Sequence, residues 1–307
     1  MTASFFALLW LTFSATPSWA GPEVGLDKVA KTLQPQLTTT PMGSLPSDLI
    51  HAARDYRNLP LSDRMDKVSQ PMLGKPYVAD PLGEGRGFDK DPVVRYDLFD
   101  CLTFVEEVLA LSLSGDPIHA GAVRTKLRYS GNNIYYKYRK HFMELQWIPD
   151  NVRAGWLKDT TAEYGPTTTM TKLISYASWG AWNRRKLFAL KDRELPVGQM
   201  SLRVLPLDTA LEAAANIRPG SLILTVRADR PTVPIWITHL GFTVPREEPT
   251  IRHASRMKSA MDTRDHSLVW YLEHLKTYVN WPTAGIAILE PIEQGPRRSA
   301  LASKQSQ

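Results

Sequence analysis

Cysteine is almost missing from this chain: Cys101 stands alone among 307 residues. One thiol excludes an internal disulfide, and with it a disulfide-stapled fold. A Cys pair and a His-Glu-x-x-His motif are both lacking, so zinc has no recognisable ligand spacing here, and neither metal nor other cofactor is expected. There is no Gly-x-Ser-x-Gly elbow of the serine hydrolases. No run of Lys and Arg interleaved with aromatics occurs, although the formal charge is +6, so nucleic acid is not an expected partner. The charge is thinly spread and reads as ordinary solubility charge. Internal repeats are absent. Long apolar runs are missing too. The stretch Phe5–Phe13 is too short for a stable bilayer anchor.

That short stretch lies in residues 1–20, which hold no charged side chain and end on Ser18-Trp19-Ala20 before Gly21. Small residues at those two places predict a cleaved signal peptide over 1–20. An exported protein follows, periplasmic or extracellular, without a transmembrane anchor once the signal is removed. Beyond it, residues 21–60 read as a leader arm and first helix, 61–293 as one globular domain, and 294–307 as a polar basic tail.

What is present supports a real core: 43% of residues are hydrophobic and nine are Trp. Apolar spacing predicts helices over 47–59, 61–70, 101–113, 117–129, 176–190 and 266–279. Strands are expected over 221–226, 236–244, 250–254 and 284–289, with Pro245–Pro249 as the turn of a hairpin. Helices first and strands later predict an α+β fold with an antiparallel sheet. Gly83, Gly85 and Gly87 mark a flexible loop rather than a phosphate cradle. Glu106 and Glu107 are placed on the solvated side of their helix. Trp147, Trp179 and Trp182 are core aromatics by default, with sugar stacking as the alternative.

The lone thiol falls in the first turn of the helix that starts at Cys101, and Asp100 is a good N-cap. Free N–H groups at Cys101 and Leu102, with the helix dipole, can lower a thiol pKa and can hold an oxyanion. Equally, Cys101 can be a small buried apolar residue. Among seven His, His239 sits mid-strand with Gly241 on the same face, and His253 lies in the next strand. The hairpin can bring the two rings together, His239 as base and His253 as the group that fixes its tautomer. The competing reading is two sheet histidines satisfied by core hydrogen bonds.

Leu73-Gly74-Lys75-Pro76-Tyr77-Val78, followed by Phe99-Asp100-Cys101-Leu102-Thr103-Phe104-Val105-Glu106, resembles the NlpC-type papain-like cell-wall peptidases. It is more similar to the family called N-acetylmuramoyl-L-alanine amidase-like, long known as a domain of unknown function. Arg218-Pro219-Gly220-Ser221, Thr238-His239-Leu240-Gly241-Phe242 and Arg252-His253-Ala254-Ser255 resemble its later segments in the same order. The resemblance implies a papain-like arrangement, with the nucleophile at a helix N-terminus packed on a C-terminal antiparallel sheet. It implies Cys101 attacking an amide carbonyl of peptidoglycan peptide, His239 as base, His253 as orienting residue, and a thioester hydrolysed by water. Tyr77 matches a tyrosine that stabilises the oxyanion or positions substrate, beside Asp100 and Leu102. The expected partner is peptidoglycan or muropeptide. Three alternatives stay open: a D-glutamyl-diamino-acid endopeptidase, a non-catalytic wall-binding module, and acyl transfer from the thioester.

Overall fold

The computed structural model describes residues 45–257 and 259–295. The expected signal peptide, most of the leader arm and nearly all of the basic tail lie outside the described residues.

Apolar runs in the central strands anchor a six-stranded sheet of β1 (Leu157–Asp159), β4 (Leu222–Arg227), β5 (Ile237–Val244), β6 (Thr250–Ala254), β7 (Thr263–Ser267) and β8 (Thr283–Pro291). Their order is β1-β8-β4-β5-β6-β7, and every neighbouring pair is antiparallel. The mixed α+β architecture with an antiparallel sheet is thus as the sequence suggests. Leu222–Val226 of β4 are all buried, because a central strand covered on both faces has no solvent side. A separate hairpin pairs β2 (Thr168–Ile174) with β3 (Gly198–Val204).

Two helical layers cover the sheet. On one face, Leu222, Leu224, Leu240, Phe242, Val244, Ala254, Ala287 and Leu289 join the core formed with α1 (Ser47–Asp55), α2 (Leu61–Ser69), α3 (Cys101–Ser114) and α4 (Ala120–Arg128). On the other, Ile223, Ile251, Ile286 and Ile288 pack against α7 (Leu207–Ala213) and α8 (Leu268–Lys276). Between these lie the short helices α5 (Ile148–Arg153) and α6 (Tyr176–Ala181). In β8, Gly285 has φ +158°, and a Cβ there would lie 2.1 Å from the Leu205 carbonyl oxygen. Only glycine lets that segment cross the strand so closely.

Three expectations are corrected. The helix over 176–190 stops at Ala181, and 3-10 turns follow. His266 belongs to β7, and the helix expected over 266–279 starts at Leu268, where Ser267 accepts the Trp270 N–H. Glu106 and Glu107 are buried, 1% and 0% exposed. Every residue of α3 from Thr103 to Ser114 is buried, so both carboxylates meet arginines of α4 instead of water. Arg124 grips Glu107 with Nε–Oε1 2.5 Å and Nη2–Oε2 2.7 Å. Arg128 reaches Glu106 Oε2 at 2.6 Å and Glu107 Oε1 at 3.3 Å, and Trp147 Nε1 donates to Glu106 at 2.9 Å. This charge network fixes the helix that begins with Cys101.

Candidate active site

The α3 N-terminus is built by a capping box. Asp100 Oδ1 accepts from the Thr103 N–H at 2.7 Å, and Thr103 Oγ1 accepts from the Asp100 N–H at 3.0 Å. Cys101 is therefore the first helical residue. As a residue it is partly exposed, but its sulfur is enclosed where it packs on the core. Its sulfur faces the backbone N–H groups of Leu240, Cys101 and Leu102.

The Leu240 amide is available for a structural reason. The ladder between β5 and β6 ends at Phe242↔Arg252, so Leu240 lies beyond the paired stretch. The Leu240 amide that the sulfur faces belongs to the residue after His239. On β5, His239 and Gly241 share a face, as alternation requires. A Cβ at Gly241 would come within 2.7 Å of His253 Cβ and 2.8 Å of the Arg252 carbonyl oxygen. The missing side chain lets β6 bring His253 in. His239 Nε2 and His253 Nδ1 are 2.7 Å apart, with the rings nearly perpendicular at 84°. His239 Nδ1 is the ring nitrogen left for another partner.

Further residues join them. His253 Nε2 lies 2.8 Å from His266 Nδ1 on β7. Tyr271 of α8 sits beneath the first two rings, with centroids 6.3 Å from His239 and 5.5 Å from His253, and its hydroxyl meets Thr225 Oγ1 at 2.6 Å. Tyr77 is strung between two segments: its N–H donates to the Met261 carbonyl at 2.9 Å, and the Val78 N–H to that of Phe99 at 2.9 Å. That threading holds its phenol near Cys101 and in hydrogen-bond contact with Arg256. Glu144 anchors the start of β5, accepting from the Trp236 and Ile237 N–H groups at 2.5 and 2.6 Å.

The electrostatics differ from the sequence expectation for the thiol. Burial and the adjacent Asp100 carboxylate push Cys101 up to about 12, although three N–H groups pull the other way. Burial outweighs what the N–H groups of the helix start offer, and the N-cap carboxylate adds to it. Burial, then Arg256 and Arg227, lower His239 to about 4. The resting pair is therefore neutral thiol and neutral imidazole. Burial also keeps the Tyr77 phenol protonated, with Cys101 and Asp100 acting in the same direction. Tyr77, Asp100, Cys101, Leu102, His239 and His253 are thus gathered in one region. His266, Tyr271 and Arg256 join them without having been singled out in the sequence. Alternation from His253 onward points to Ser255, and the helical spacing that includes Tyr271 marks only a buried face. The three imidazoles bond in series, and among the described residues no His, Cys, Asp and Glu cluster could hold a metal ion. Nor, among those residues, is any helix long and apolar enough to cross a membrane.

A family model described as AmiA-like, N-acetylmuramoyl-L-alanine amidase-like, matches residues 67–278. No curated protein matches the chain. Among solved structures, a Legionella pneumophila protein of a domain-of-unknown-function family superposes with TM-score 0.69 at 22% identity, over 80% of this chain and 94% of that one. An N-acetylmuramoyl-L-alanine amidase of Bacteroides uniformis gives TM-score 0.58 at 23% identity, over 80% and 98%. A Bacteroides fragilis protein provisionally described as a xylanase gives 0.55 at 22%, over 71% and 96%. At such identities these likenesses establish a shared fold.

Proposed function

The chain belongs to the AmiA-like, N-acetylmuramoyl-L-alanine amidase-like family, and on that premise we propose an exported cysteine hydrolase that cuts an amide bond in the peptide part of peptidoglycan. The observation that carries the chemistry is the Cys101 sulfur at a capped helix start, beside the strand whose His239 is hydrogen-bonded to His253 at 2.7 Å. The nucleophile helix packed on an antiparallel sheet that supplies the imidazoles supports a papain-like, NlpC-type arrangement.

The neutral resting pair sets the order of events. Once substrate is bound, His239 Nδ1 takes the thiol proton while the sulfur attacks the amide carbon. His253 supports the imidazolium from Nε2. The N–H groups of Cys101 and Leu102, with the un-ionised Tyr77 hydroxyl, are the donors for the tetrahedral oxyanion. The C–N bond then breaks, and the amine leaves with the proton from His239. Water, deprotonated by His239, hydrolyses the thioester and releases the acid.

The test is mass spectrometry of purified muropeptides after incubation with the protein. A free L-Ala N-terminus together with free muramic acid marks the amidase reaction. Cleavage between D-Glu and the diamino acid marks the endopeptidase instead. Cys101→Ala is expected to stay folded and to release nothing. Release of fragments at the normal rate by that variant overturns the mechanism, and binding without fragments by the unaltered chain overturns the enzyme.

A further inference from the structure

We propose that His266 is a positioning residue: as the outer acceptor of a three-imidazole hydrogen-bond chain, it sets which nitrogen of His239 faces the Cys101 thiol. The inference rests on the reading of Cys101 and His239 as nucleophile and base.

The chain runs His239 Nε2 to His253 Nδ1 at 2.7 Å, then His253 Nε2 to His266 Nδ1 at 2.8 Å. His253 is 2% exposed, and both its nitrogens are occupied by other imidazoles. A neutral imidazole carries one N–H and one lone pair. Two such links in series therefore allow only two coherent arrangements. In one, every ring is protonated at Nε2, and the lone pair of His239 Nδ1 points to the sulfur side. In the other, every ring is protonated at Nδ1, and His239 presents an N–H there, which cannot accept the thiol proton.

The ends choose between them. At the inner end the thiol is protonated and is itself a donor, which favours a lone pair on His239 Nδ1. At the outer end, His266 must stay neutral and keep its lone pair on Nδ1 for His253. Burial, then Arg264 and His274, hold it below the ordinary imidazole value, against Asp262 and Asp265. The His266 ring is held by Trp270, 4.6 Å between centroids, which in turn stacks on His274 at 5.1 Å and 7°.

Without the acceptor at His266, a protonated His253 Nε2 is left unpaired in a buried site. Its proton then moves to Nδ1, donates to His239 Nε2, and drives the His239 proton to Nδ1. Asparagine can place an oxygen where His266 Nδ1 stands, whereas leucine cannot accept at all.

The experiment is long-range proton–nitrogen correlation spectroscopy on the full chain labelled with nitrogen-15 histidine, without substrate, alongside turnover on muropeptides. The unaltered protein should show His239 and His253 protonated at Nε2. His266→Leu should move the His253 proton to Nδ1 and lower kcat roughly tenfold at unchanged KM, the scale one buried hydrogen bond governs. His266→Asn should restore the Nε2 tautomer and most of the lost kcat. Should the leucine variant fail to fold, the unaltered protein still decides, because His253 protonated at Nδ1 there overturns the proposal. So does a folded leucine variant with unshifted His253 nitrogens. The resonances are read in resting protein, so an inactive chain with the expected tautomers sinks the hydrolase reading and leaves this one standing.

Discussion

Replacing Asp100 with asparagine separates two things the carboxylate does, capping α3 and opposing ionisation of the thiol. Asparagine caps a helix about as well as aspartate, and its carbonyl can still accept the Thr103 N–H now held at 2.7 Å. The Asp80 N–H, which donates to the other Asp100 oxygen at 3.2 Å, would instead face an amide. The stability cost should be about 1 kcal/mol. The electrostatic change is larger for the sulfur, since Asp100 ranks second only to burial in holding the thiol up at about 12. At a separation on the order of 6 Å, typical of side chains on consecutive residues, a unit charge at an effective dielectric of about 20–40 is worth about 1.4–2.8 kcal/mol, or at least one pKa unit. One unit down means roughly ten times more thiolate at pH 8. Intrinsic nucleophilicity falls with pKa at a Brønsted slope of about 0.4, so the net gain is roughly fourfold. The assay is the second-order rate of Cys101 with a small neutral aromatic disulfide, read by absorbance, with thermal unfolding measured in parallel. An Asp100→Asn protein that unfolds normally and reacts no faster than the parent would refute the charge argument.

Other measurements follow from the same geometry. If His239 is the base, the acid limb of kcat/KM should fall near pH 4 to 5, well below the ordinary 6.5, because a group lowered to about 4 stays unprotonated above that value; a limb at 6.5 contradicts it. His239, His253 and His266 are all lowered in the fold. The unfolded chain then binds more protons, and unfolding free energy from urea titrations should decline as pH drops below about 6.5, levelling only near the lowered values. Gly241→Ala puts a methyl 2.7 Å from His253 Cβ; pushing β6 away should cost about 1–3 kcal/mol and depress kcat more than KM, while unchanged values would show the strand yields freely. Arg128→Leu strips Glu106 of its charged partner in a buried site, and the loss expected in a urea titration is about 3–5 kcal/mol.

The central strands β4, β5, β6 and β8 were legible as short, largely apolar runs bounded by turn residues, whereas β1 and β7, with a single apolar residue between them, were not. The two-residue period of a strand placed His239 and Gly241 on one side of β5 and made room for His253. What escaped was governed by contacts between distant segments. Thr168–Ile174 leaves most of its residues exposed, and its partner strand, whose Met200, Leu202 and Val204 form a buried face, begins only at Gly198, so no tight turn marks that hairpin. Glu106 and Glu107 look solvated only while α3 is read alone. Arg124 and Arg128, four residues apart on the next helix, present two guanidinium groups on one face, and that spacing was the available clue. His266 carried a misleading signal, since apolar spacing through Leu268, Tyr271, Leu272 and Leu275 invites the helix back onto it. Ser267 ends that extension by capping the Trp270 N–H. The consequence is mechanistic: one residue before that cap, His266 joins the sheet and places a third imidazole in line with the two that the alternation had already paired.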